Sequence, residues 1–127
     1  KEKVIMKYFT HSEFDSPDEP GSGKNMRHEF LEMLDFAREE AGIPFKITSG
    51  FRTQAYNKDL QKRGYQASPN SSHLKGCAAD IACGNSEKRS IMVRALVNVG
   101  FTRLGISKTF IHVDNDQAKS DAIWLYA

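Results

Sequence analysis

The sequence predicts an α+β domain in which a small, mostly antiparallel sheet carries helices packed on one side. Helical 3.6-residue apolar spacing dominates the first hundred residues, and short alternating or apolar stretches bounded by turn residues gather after residue 76. The length of 127 residues suits one hydrophobic core without disulfide staples. We therefore expect a single domain over residues 1–127, with 1–25 a partly irregular leader.

The elements follow in order. Residues 12–25 (SEFDSPDEPGSGKN) are rich in Ser, Pro, Gly and acidic residues, and Pro17 and Pro20 deny both helix and ladder geometry. From Met26 the apolar positions Phe30, Met33, Leu34, Ala37 and Ala41 form one helical stripe, which Gly42 and Pro44 terminate. Phe45 to Thr48 alternates as a short strand, broken by Ser49-Gly50, so Arg52 sits at a strand exit. A second helix is expected over 54–63, ending at Gly64, and then a surface loop over 65–72. Cys77 to Ala82 is small and apolar apart from Asp80, which suits a buried strand. Ser86 is the expected N-cap of a third helix carrying Ile91, Ala95, Leu96 and Val99, stopped by Gly100. Strands are expected over 101–106, 110–114 and 123–126, and no internal repeat is visible.

Composition narrows the function. Hydrophobic residues at 39% and charged residues at 27% are ordinary for a globular chain, and no apolar run approaches the ~18 residues that would span a bilayer. Lys plus Arg number 18 against 16 for Asp plus Glu, and the charges are interspersed, which argues against nucleic acid as a partner. The first seven residues lead into no apolar segment or small-residue cleavage site, so no signal peptide is expected and synthesis in the cytoplasm follows. Two cysteines, Cys77 and Cys83, do not make a disulfide scaffold and are expected as free, buried thiols.

Four histidines differ sharply in context. His11 and His28 lie in polar surroundings and are expected at the surface, whereas His73 and His112 border apolar strands. Strand alternation puts Ala78, Asp80 and Ala82 on one face and Cys77, Ala79, Ile81 and Cys83 on the other. A carboxylate among small apolar residues needs a metal or an arginine beside it. His112 and Asp114 likewise share a face, opposite Ile111 and Val113. Two imidazoles and one carboxylate suit zinc and leave a fourth tetrahedral position open, the arrangement of a catalytic site.

The spacing is more specific than the residue types. Ser71-Ser72-His73-Leu74-Lys75-Gly76-Cys77-Ala78-Ala79-Asp80 matches S-x-H-x-x-G-x-A-x-D, with Ser49-Gly50-Phe51-Arg52 upstream and His112-Val113-Asp114 downstream. This resembles the zinc D-Ala-D-Ala carboxypeptidase family, M15-like and nearest its compact, phage-associated branch, over almost the whole chain. The resemblance implies the Hedgehog/D-Ala-D-Ala peptidase-like fold and one zinc ion held by His73, Asp80 and His112. It also implies Arg52 facing the scissile carbonyl oxygen and Ser71 near the substrate. The expected activity is hydrolysis of peptidoglycan stem or cross-link peptides by a monomer acting at the cell wall.

One position departs from the family pattern. An acidic general base is expected three residues before the last histidine ligand, where Thr109 stands. Asp114 is the nearest substitute as base, and equally a carboxylate that orients His112; Glu13 or Asp15 of the leader are further alternatives. Thr109 also leaves open a zinc-containing module that binds cell wall without turnover, or a structural phage module.

Overall fold

Among the described residues five strands, β1 (Ile47–Ser49), β2 (Ala78–Ala82), β3 (Arg103–Ile106), β4 (Phe110–Asp114) and β5 (Ala122–Leu125), join in one sheet in the order β1-β2-β4-β3-β5. Of the four strand pairs among the described residues, β3–β5 is parallel and the others are antiparallel. The structure is a computed structural model that describes residues 5–65 and 67–127; residues 1–4 of the predicted leader and Gln66 of the predicted 65–72 loop lie outside the described residues.

Period-two alternation decides which sheet face is dry. Ala79, Ile81, Leu104, Ile111 and Val113 are fully buried on one face, where they meet Phe30, Leu31, Leu34 and Ala37 of helix α1 (His28–Ala41) and Ala95 and Leu96 of helix α3 (Ser86–Asn98). Cys77 and Cys83 join this core as free, buried thiols. Helix α2 (Gln54–Lys62) instead borders the opposite face, contributing Leu60 to the wall of the cavity there.

Local chemistry accounts for the element ends. Gly42, at φ 68°, closes α1, and the Thr53 hydroxyl caps α2 by accepting the Tyr56 N–H. Met26 is buried but extended, so α1 starts two residues later than the apolar spacing suggests. Asn85, not Ser86, caps α3: its side-chain oxygen accepts the Lys88 N–H at 2.8 Å. The buried stripe of α3 runs through Met92, while Ile91 is 40% exposed, because tertiary packing selects among adjacent apolar residues that the sequence ranks alike.

The described part of the leader is folded against the sheet. Turns at His11–Phe14 and Ser22–Asn25 are tied by Asp15, whose carboxylate accepts the Gly21 and Gly23 N–H groups. Phe14 is fully buried, and its carbonyl accepts the Phe51 N–H at 2.8 Å, just past β1. A Cβ on Gly50 would stand 2.6 Å from the Phe14 Cα, so glycine is needed for this approach.

Candidate metal centre

One row of residues across the polar face of the sheet makes the site. The register sets Ser49 beside Asp80, Asp80 beside His112, His112 beside Gly105 and Gly105 beside Trp124. Cross-strand partners stand about 5 Å apart at Cβ, so this register alone brings Asp80 and His112 into contact. His73 comes from outside the sheet, on the turn Ser72–Lys75, which Ser71 caps by accepting the His73 N–H and Gly76 closes at φ 73°. Two bonds fasten that turn to the β1 exit: Nδ1 of His73 lies 2.7 Å from the Gly50 carbonyl, and the Arg52 N–H donates to the His73 carbonyl.

These contacts assign the ring nitrogens. The Gly50 carbonyl can only accept, so His73 Nδ1 carries the proton and Nε2 faces Asp80 Oδ1 at 3.4 Å. His112 lies between two carboxylates, with Nδ1 2.9 Å from Asp80 Oδ1 and Nε2 2.7 Å from Asp114 Oδ2. The donor atoms of His73, Asp80 and His112 all lie within 4.8 Å of one another. Ligand atoms about 2.0–2.2 Å from a tetrahedral zinc are themselves about 3.4 Å apart, so both the spacing and the N,N,O donor chemistry fit that ion.

The electrostatics agree. Burial pushes the His73 imidazole below its ordinary pKa, keeping it neutral with a lone pair to offer. Burial opposes charge on Asp80 and Asp114, yet His73 and His112 hold the Asp80 carboxyl well below the usual carboxylate range, and His112 and Arg103 lower that of Asp114. For His112, burial is outweighed by its two carboxylate neighbours and the pKa rises. Arg52 is drawn down by burial and sustained by Asp80, whose Oδ2 lies 3.6 Å from its Nη2. Ser49 and Asn57 hold the guanidinium from behind.

The centre opens into a cavity of about 750 Å³ whose wall includes Arg52, Ser71, His73, Asp80, His112 and Asp114. All six residues singled out from the sequence therefore share one site. Thr109 is exposed and off the wall. Glu13 caps its own turn through the Thr10 N–H, and Asp15 is held by Gly21 and Gly23, so neither leader carboxylate reaches the cavity.

Sequence reasoning missed Arg103 and had no specific role for Trp124 and Tyr126. Arg103 pairs with Asp114 across β3–β4, its Nε 2.7 Å from Oδ1, and its guanidinium lies 4.9 Å from the Trp124 ring centroid. Trp124 approaches His112 with ring centroids 5.5 Å apart. The alternation of β3 could have placed Arg103 on the site face; its partner depends on register.

Comparison with known proteins agrees with this geometry. The peptidase M15 family model matches residues 7–114, which include all six site residues. The solved structure of Serratia marcescens L-Ala D-Glu endopeptidase ChiX superposes with a TM-score of 0.53 at 17% identity, covering 60% of this chain and 62% of that one. The likeness shows a shared fold, and the match spans under two thirds of the Serratia chain. No curated protein matches the sequence significantly.

Proposed function

We propose, from the premise that this chain belongs to the peptidase M15 family, that it is a zinc-dependent peptidase that hydrolyses stem or cross-link peptides of bacterial peptidoglycan. The observation that carries the reading is the convergence of His73, Asp80 and His112 at the base of an open cavity. The activity named for the Serratia protein supports a cell-wall peptide as substrate and L-Ala–D-Glu as the first bond to test. A zinc ion on the three side chains would supply Lewis acidity, which acidifies water and polarises a carbonyl. The working unit is one chain and one domain, acting at the cell wall; among the described residues no helix is long and apolar enough to cross a membrane.

The chain's own residues divide the remaining tasks. Gly50 and Asp114 fix which nitrogen His73 and His112 present. Asp114 is thereby a positioning residue: one oxygen accepts from His112, the other from Arg103 and the Asp116 N–H, and proton abstraction would require it to release His112. Arg52 sets a permanent positive charge where negative charge develops on the carbonyl oxygen. Ser71 accepts the His73 N–H and keeps its own hydroxyl proton for a substrate oxygen.

One observation favours a second reading. Among the described residues the carboxylates on the cavity wall are Asp80 and Asp114, both engaged, and Thr109 stands at the usual base position. That suits a zinc-containing module that binds cell wall without cutting it. Incubating purified peptidoglycan with the protein, with and without chelator, separates the two. New free amines that vanish with chelator and return with zinc are expected; retention on the wall with no new amines refutes the peptidase. His73→Ala, Asp80→Ala and His112→Ala should each lose stoichiometric zinc, and zinc retained by all three would refute the ligand set.

A further inference from the structure

The cavity wall also bears two rings, Trp124 and Tyr126, with no assigned task. β1 and β5 are the opposite edges of the sheet, so Arg52, just past β1, and Tyr126, just past β5, approach the centre from opposite sides. Trp124 and Tyr126 share strand parity, and both rings lean inward over Gly105: a Cβ there would stand 2.6 Å from Trp124 Nε1 and 2.6 Å from Tyr126 Cε2. Phe110 supports Tyr126 from β4, with ring centroids 5.2 Å apart. The lean carries Tyr126 onto the cavity wall, where the charges of Asp80, Arg52 and Asp114 all act on its hydroxyl.

The hydroxyl is uncommitted. Trp124 stands beside Tyr126, with ring centroids 6.3 Å apart, and no acceptor among the described residues takes the phenolic proton. Burial holds this phenol above its ordinary pKa, so it is a neutral donor at physiological pH.

We infer that the Tyr126 hydroxyl donates a hydrogen bond to the scissile carbonyl oxygen from the β5 side while Arg52 acts from the β1 side, which makes Tyr126 a substrate-contacting catalytic residue. The inference rests on the peptidase reading above. An oxyanion has lone pairs for both donors, and a donor already fixed by packing needs no reorganisation as charge develops.

Tyr126→Phe tests this, because the phenylalanine ring still fills the space over Gly105. On purified peptidoglycan we expect kcat to fall about 10²-fold, KM to stay within about twofold and zinc content to be unchanged. A kcat within about threefold of wild type, or a change confined to KM, overturns the inference. A phosphinate pseudopeptide of L-Ala–D-Glu, titrated through the fluorescence of Trp124, the chain's one tryptophan, gives a reading without turnover. Its tetrahedral anion should bind the variant about 10- to 100-fold more weakly; equal affinity, or no binding by either protein, overturns the inference. Wild type that binds the phosphinate yet releases no amines would sink the peptidase reading while the titration still decides Tyr126.

Discussion

His112 shows how far a single side chain depends on its neighbours. It is a useful ligand only if the nitrogen facing Asp80 is free of a competing partner, and Asp114 secures this by taking Nε2 at 2.7 Å. Arg103 in turn holds Asp114. Replacing Asp114 with Asn keeps the size but removes the charge that orients the imidazole, so zinc affinity should fall about 10- to 100-fold in a chelator competition. A base without an orienting role would give the opposite pattern, with zinc affinity intact and turnover gone. Alternation in the sequence was enough to place His112 and Asp114 on one face. That Asp114 is occupied by Arg103 was not legible, because the two are eleven residues apart and meet only through the β3–β4 register.

At the level of elements, the sheet works as a ruler. The row Asp80, His112, Gly105, Trp124 spans four strands, and its one residue without a side chain lets the aromatic pair of β5 lie across β3 toward the centre. Gly105→Ala should displace both rings, costing about 1–3 kcal/mol of stability by overpacking and shifting the Trp124 emission maximum, with zinc still bound. An unchanged emission spectrum would show that the rings do not need the gap. The sequence places Trp124 and Tyr126 only on an expected last strand, since nothing local says which way a ring leans from an edge strand. Helix ends were more legible than helix faces: Gly42 and Gly100 stop α1 and α3 near the expected residues, while Met92 replaces Ile91 in the buried stripe of α3.

At the scale of the whole molecule, stability and the site share a buried carboxylate. Asp116 accepts from the Ser72 hydroxyl at 2.7 Å and Lys75 at 3.0 Å and takes the Ala118 N–H, joining the turn that carries His73 to the segment after β4. Burial alone would raise its pKa, but Ser72 and Lys75 bring it from an ordinary 3.8 to about 2. A depressed folded-state pKa stabilises the fold above the unfolded value and loses that contribution as pH falls from about 4 to about 2. Asp116→Asn should therefore lower the melting temperature by a constant amount above pH 5, and the gap to wild type should close between pH 4 and 2. A gap that persists at pH 2 would refute the charged role.

Taken alone, the sequence determined the fold class, the sites of the main helices and strands, the two faces of β2 and β4 and the identity of the three metal-ligand candidates, because periodicity, turn residues and motif spacing are local. The tertiary structure decided what each side chain is paired with. Gly50 beside His73, Arg103 beside Asp114 and Gly105 beneath Trp124 and Tyr126 come from other segments of the chain, and only the strand register and the packing of the leader bring them within reach. The physical reason is that hydrogen-bond direction and ring orientation are set by contacts across the sheet, which no local pattern encodes.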